Sequence, residues 1–206
     1  MVEVENFKGV GINYSEILIV GIAGGIDKDE VIKIGDLVIS KDIYGCETKK
    51  ATPDIVETET NEKKEETGID LSFRSKRRYK GNTTDLDFAT WKPTIFEEPP
   101  TNKGDIQGFN TVFSQDYISI DTLSKAKWFK EKLWKEFPTC KAIEMEAFGV
   151  TSFVMEKNIA KPVIIIKSIC DYGDYRKNKV WQPYCADVAA SFLEDYLISK
   201  QINETL

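Results

Sequence analysis

The run Lys161-Pro-Val-Ile-Ile-Ile-Lys-Ser-Ile-Cys-Asp-Tyr-Gly-Asp174 constrains the fold more than any other stretch of the chain. It is apolar and β-branched, opens after Pro162 and closes on an acidic, glycine-containing turn. That is the pattern of a central parallel strand covered on both faces. In open α/β sheets ligands collect outside the carboxyl ends of strands, which puts Asp171 where chemistry gathers. The preceding Lys141-Ala-Ile-Glu-Met-Glu-Ala-Phe-Gly-Val150 reads as a helix-like run leading into the strand, with Glu146 near the helix start. Two carboxylates in unlike settings are the raw material for acid catalysis combined with charge stabilisation.

At 206 residues the chain has the length of one domain with a full core. A formal charge of -6 argues against a phosphate-backbone partner, so no nucleic acid is expected. No apolar run reaches membrane-spanning length, and Met1-Val-Glu-Val-Glu-Asn-Phe-Lys8 lacks the layout of a signal peptide. The expectation is a cytoplasmic protein without a membrane partner. The four cysteines, Cys46, Cys140, Cys170 and Cys185, form no C-x-x-C pair, which favours reduced thiols over a disulfide framework or a structural zinc site. Histidine is absent altogether. That removes the Ser-His-Asp triad, the Cys-His dyad, His-ligated zinc and imidazole as a general base. Catalysis here must run on carboxylates, amides, hydroxyls or lysine, and no metal or other cofactor is expected.

Glu16-Ile-Leu-Ile-Val-Gly-Ile-Ala-Gly-Gly25 predicts a buried strand running into a glycine turn. The turn either brings backbone N–H groups close to a ligand or is a tight strand-to-loop connection. Ile34-Gly-Asp-Leu-Val-Ile-Ser40 predicts a second strand. No G-x-G-x-x-G or G-K-[ST] is present, so dinucleotide and P-loop readings lose their main support. From about 45 to 105 the chain becomes charged and polar, and Glu57 to Glu66 reads as a solvated excursion. Within it, Arg74, Lys76, Arg77, Arg78 and Lys80 read first as a solvated loop or hairpin edge, and second as contacts for the phosphates of a nucleotide. Trp91 to Glu98 is either an edge strand or an aromatic anchor. Asn110 to Ser119 predicts a strand with Tyr117 near its carboxyl end, as a boundary aromatic with its hydroxyl in water or as a stacking platform for a base. Asp121 is the expected N-cap of a helix through Lys135, with Ala126, Phe129, Leu133 and Phe137 on one face. A helix from about Glu146 to Lys157 stops at Asn158, and a closing helix carries Pro183 in its first turn and Tyr184, Val188, Phe192 and Tyr196 as its stripe. The order of elements is an α/β layout.

Taken in order, V-G-I-A-G-G-I with I-G-D-L-V-I-S, then S-Q-D-Y-I, A-I-E-M-E-A-F-G-V and S-I-C-D-Y-G-D resemble the purine nucleoside phosphorylase and methylthioadenosine/S-adenosylhomocysteine nucleosidase superfamily. The tail I-C-D-Y-G-D-Y-R-K-N-K-V-W-Q-P-Y-C-A is similar to the branch found in multi-domain signalling and immunity proteins. The resemblance implies a phosphorylase-like mixed twisted sheet flanked by helices, in a three-layer α/β/α arrangement, and cleavage of the N-glycosidic bond of a purine nucleoside or nucleotide. Glu146, the second acid of E-M-E, would bind the ribose hydroxyls and stabilise the cationic sugar. Glu144, the first acid, falls among the substrate-binding positions, and Met145 would pack against the ribose. Asp171 would protonate the leaving purine. Tyr117 and Ile118 match positions that cover the base, and Ala23 and Gly24 match the turn along the nucleoside. Cys170 stands where Ser is common. The division of labour is that of glycosidases, where one acid serves the leaving group and another carboxylate meets the sugar. From the residues alone, Glu146 reads first as a helix-dipole acid and Asp171 first as a turn acid.

Members of this superfamily carry several strands and a glycine-rich loop before the V-G-I-A-G-G strand, with an acid that positions water or an Arg that holds phosphate. Here that strand begins by residue 17, so the expectation is a domain short of its first strands: a fragment, a sheet completed by a partner, or a domain without catalysis. Hydrolysis by water is expected ahead of phosphorolysis by phosphate, and a homo-oligomer is expected from the resemblance. The alternative is a non-catalytic nucleoside-binding or interaction module.

Overall fold

A computed structural model describes residues 15–26, 28–29, 31–48, 73–80, 91–94, 97, 99–100, 110–121, 127–173 and 179–205. Its strands are β1 (Ile17–Gly25), β2 (Leu37–Thr48), β3 (Phe73–Lys80), β4 (Val112–Ile120), β5 (Cys140–Glu144) and β6 (Val163–Asp171). Its helices are α1 (Lys127–Glu136), α2 (Ala147–Glu156) and α3 (Gln182–Thr205). The strands form one mixed sheet in the order β3-β2-β4-β5-β1-β6, and β2 also pairs with β6, so the sheet curls back on itself with β3 as an outlying edge. The parallel pairs are β1 with β6, β2 with β4 and β4 with β5. The expected mixed sheet with flanking helices is what the chain forms.

All nine residues of β6 are buried. Ile164 and Ile166 point into a cluster built on Val188, Phe192 and Tyr196 of α3, and Val163, Ile165 and Ile169 point into a second cluster with Ala147 and Val154 of α2. The strand therefore has a helix over each face, which is why it reads as a continuous apolar run rather than an alternating one. A third cluster joins Phe129, Leu133 and Phe137 to Ile118, Ile120 and Ile143. α2 ends as expected: Asn158 takes a left-handed φ of 51° and the Ile159 N–H returns to the Val154 carbonyl at 2.9 Å. Gly45 in β2 is required by a close approach, since a Cβ there would lie 2.0 Å from the Phe148 ring.

One expectation changes, and two open alternatives are decided. Lys141 to Glu144 belongs to strand β5 rather than to the helix, which begins at Ala147. The polar excursion contains a strand, β3, paired antiparallel with β2 from Asp42↔Lys80 to Thr48↔Phe73. Backbone pairing to β2, with Tyr79 packed on the core and its hydroxyl donating to the Lys161 carbonyl at 3.2 Å, holds this charged segment as a sheet edge. Trp91 is an anchor: its ring meets Phe192 edge-on with centroids 5.1 Å apart, and its Nε1–H donates to Asp195 at 2.8 Å. Asp121 lies next to 122–126, which are outside the described residues, as are Ala126 and Glu57 to Glu66. Among the described residues no helix is long and apolar enough to cross a membrane.

β1 pairs with β6 from Ile17 to Gly24 but with β5 only at Gly24 and Gly25. β5 leaves that edge at Glu144 and turns into α2. The corner so formed, beside the carboxyl end of β1, is where Glu144 and Glu146 meet Lys167 of β6.

Candidate active site

Lys167 lies in the middle of β6, 3% exposed, in register with Gly21 of β1. A buried ammonium needs a carboxylate. It has two: Lys167 Nζ donates to Glu144 Oε2 at 3.0 Å and to Glu146 Oε2 in a shorter contact. The two acids stand in different surroundings. Glu144 closes β5, and its carboxylate accepts the Glu146 N–H at 2.9 Å and the Ala147 N–H at 3.1 Å, the first free amides of α2. Such amides point at an anion and satisfy donors that the helix leaves open. The helix-dipole role that the residues allowed for Glu146 is thus filled by Glu144. The Glu146 side chain is 64% exposed and turned to the open side of the corner, with Lys167 beneath it.

Burial pushes the Glu144 carboxyl up from its usual value, against the Lys167 charge and the Ser119 hydroxyl. On Glu146 burial acts upward too, but the hydrogen bonds from Lys167 and Glu144 outweigh it and hold this carboxyl below the usual range. The two shifts run in opposite directions, and Glu146 is the acid whose charged form its neighbours favour. Ser119, at the end of β4, supports the corner by accepting the Phe148 N–H at 2.7 Å.

Asp171 ends β6, four residues beyond Lys167, or about 13 Å along a strand at ~3.3 Å per residue. It is 4% exposed. Its Oδ1 accepts the Gly173 N–H at 2.7 Å, and the Cys170 thiol lies 3.5 Å from Oδ2. The turn-acid geometry is real, made possible by Gly173 at φ 60°. Gly24 sits directly beside it: a Cβ at Gly24 would lie 3.1 Å from Asp171 Oδ1. It would lie equally close to Ile143 Cγ2, so the glycine allows the β1 backbone to approach the acid closely. At Gly21 a Cβ would meet nothing within 4 Å among the described residues.

The fold thus brings Glu144, Glu146 and Met145 together at one corner, and Asp171 and Gly24 at the neighbouring strand ends. Met145 is 44% exposed. Ala23 is 5% exposed and joins the α2-side core. Tyr117 and Ile118 are corrections. Both are fully buried, Tyr117 in the cluster under α2 and Ile118 in the cluster under α1. The Tyr117 hydroxyl is not in water but donates to the Val38 carbonyl at 2.8 Å. A ring with no exposed face covers no base, and β4 uses both residues as core. In the basic cluster, Arg77 pairs with Glu156 and Arg78 with Asp42, while the side chains of Arg74 and Lys76 lie outside the described residues.

Lys167, Ser119 and Gly21 were missed from the sequence. Lys167 did leave a signal: a single lysine inside Val163-Ile-Ile-Ile-Lys-Ser-Ile169 cannot stay charged in a core without a partner acid.

No protein-family profile matches the chain. It is 27% identical over 187 residues to a death domain-containing ATP nucleosidase of Amphimedon queenslandica, covering 88% of this chain and 33% of that protein. The chain therefore spans a third of this relative's length. Among solved structures, a 5'-methylthioadenosine/S-adenosylhomocysteine nucleosidase from Neisseria meningitidis, in complex with methylthio-immucillin-A, superposes with a TM-score of 0.55 at 20% identity, over 90% of this chain and 70% of that one. Futalosine hydrolase of Helicobacter pylori gives 0.55 at 18% identity, over 96% and 73%. The fold is that of these nucleosidases.

Proposed function

We propose that this chain is an N-ribosyl hydrolase that takes a purine nucleoside or nucleotide and releases the free base. The observation that carries the reading is the pairing of an exposed, lysine-held anion, Glu146, with a buried acid, Asp171, at neighbouring strand ends of one sheet. In the reaction the bond from the sugar carbon to the base nitrogen breaks and water supplies the new bond to the sugar. The base departs with a proton and the sugar keeps the hydroxyl. Glu146 accepts hydrogen bonds from the ribose hydroxyls and opposes the positive charge that grows on the ring; Met145 lies against the sugar. Asp171 serves the leaving base as general acid. Lys167 keeps Glu146 ionised and aimed.

The sponge relative is named an ATP nucleosidase, and the solved neighbours are nucleosidases of methylthioadenosine and futalosine. These names favour an adenine-bearing substrate and water, rather than phosphate, as the nucleophile. A cytoplasmic homo-oligomer fits the same reading. The test is chromatography of free base after incubation with adenosine, methylthioadenosine, inosine, AMP and ATP, with and without phosphate, beside Asp171→Asn. Base release that is independent of phosphate and lost in the variant supports the hydrolase. A folded chain that binds adenosine but releases no base from any of them is a nucleoside-binding module instead.

A further inference from the structure

α1 touches the candidate site without contributing to it, and does so through a buried lysine. Lys130 is 6% exposed. Its ammonium lies 5.4 Å from the centroid of the Trp134 ring and 5.6 Å from that of Tyr172. Lys130 and Trp134 are one helical turn apart and so share a face. Trp134 in turn donates its Nε1–H to the carbonyl of Ile26, the residue that follows β1. Tyr172 is 7% exposed and is the residue that follows Asp171.

One face of α1 therefore grips both strand ends that enclose Asp171: the β1 end by a hydrogen bond at Ile26, and the β6 end by a cation held against Tyr172. The two ends are in contact with each other, since a Cβ at Gly25 would lie 3.5 Å from Tyr172 Cδ1 and 3.6 Å from the Asp171 carbonyl oxygen. An ammonium placed over ring faces is held by their quadrupoles, most strongly where water is excluded. The length of the lysine stem alone would be met by an apolar residue. A charge buried between two rings instead fixes the ring of Tyr172, and through it the backbone of 171–173, where the Gly173 N–H sets the Asp171 carboxylate.

We propose that Lys130 is a positioning residue for Asp171. It locks Tyr172 to α1 and so keeps the turn that aims the Asp171 carboxyl at the ligand. The consequence for turnover rests on the hydrolase reading above; the consequence for the turn does not.

The experiment uses the whole chain with Lys130→Met, which keeps the stem and removes the charge, and Lys130→Arg, which keeps a cation. Two quantities are read: steady-state base release from ATP and adenosine, and NMR amide exchange at Gly173. Lys130→Met is expected to lower kcat at least tenfold with KM within about twofold, and to raise Gly173 exchange at least tenfold. Lys130→Arg is expected to stay within about threefold of the parent on both. Unchanged Gly173 exchange in Lys130→Met overturns the proposal. So does faster exchange with full kcat, or an equal loss in Lys130→Arg, which would assign the effect to packing. If Lys130→Met does not fold, Tyr172→Leu removes the ring and leaves the lysine, and parental Gly173 exchange there overturns the proposal as well. If the parent releases no base from any substrate, the hydrolase reading fails, and the exchange measurement alone decides the clamp.

Discussion

Glu146 and Asp171, the two carboxylates of the proposed site, are held by opposite means. Glu146 stands at the mouth, 64% exposed, and owes its ionised state to a lysine buried beneath it. Asp171 is 4% exposed, and its carboxylate oxygens take a backbone amide and lie beside a thiol. In the proposed reaction the first arrangement keeps a charge available while a cation grows nearby, and the second surrounds an acid with core. The difference in setting comes from where each strand ends: β5 stops early and opens a corner, whereas β6 runs to its last residue inside the core.

Removing Lys167 tests the contrast hardest. In Lys167→Met the buried Glu144 and the neighbouring Glu146 lose their common cation, and breaking a buried pair costs about 3–5 kcal/mol. Denaturant unfolding is expected to show that loss together with loss of base release; a variant within ~1 kcal/mol of the parent would remove Lys167 from the centre of the argument. Asp171→Asn should leave the fold intact, because the amide oxygen can still accept the Gly173 N–H. Base release is expected to fall about 10²–10⁴-fold, the range for a lost general acid, measured by single-turnover chromatography. Full activity would make Asp171 only the turn acid that its hydrogen bond describes.

How much of this was legible beforehand depended on how local the signal was. β6, β1 and α3 were readable because burial on both faces, or along one stripe, writes itself into the residue order. β5 was not: Ala142-Ile-Glu-Met-Glu-Ala-Phe148 is composed of residues that favour a helix, and only pairing with β4 and β1 on either side makes its first part a strand. β3 was hidden for the opposite reason, since its charges give no apolar pattern and its strand state comes from β2. At the site, the resemblance pointed to Glu146 and Asp171 as acids, but the distinction between Glu144 as helix cap and Glu146 as free anion needed the position of Lys167, 21 residues away from Glu146 in sequence. Tyr117 failed because a strand end offers an aromatic two faces, and nothing in Ser114-Gln-Asp-Tyr-Ile118 says which one the curl of the sheet will cover.

Glu146→Gln is the finer probe of the exposed acid. It removes the charge that opposes the sugar cation, and kcat is expected to fall roughly 10²-fold. Stability should change by less than ~1 kcal/mol, because Glu146 is exposed to water and Lys167 keeps Glu144 as its buried partner. The sign of its pH dependence is fixed: a carboxyl held below its usual range contributes stability above that range and loses it as pH falls through the lowered value. The gap between parent and Glu146→Gln in urea unfolding should therefore be widest near neutrality and close in acid. A gap that widens in acid would mean that the Glu146 carboxyl is held above its usual range rather than below it.

Tyr117→Phe carries the smallest expected effect and separates core from site most cleanly. The hydroxyl is buried and donates to the Val38 carbonyl, so its removal leaves that carbonyl without this donor and should cost about 1 kcal/mol of stability. Burial already pushes this hydroxyl well above its usual pKa, so it contributes no titration near neutral pH. Because the ring has no exposed surface in the fold, KM for adenosine and ATP should stay within about twofold. A tenfold rise in KM, about 1.4 kcal/mol of binding, with stability unchanged would show that the β4 end moves on ligand binding and turns Tyr117 toward the base, and would return to it the base-covering role that the unliganded fold denies.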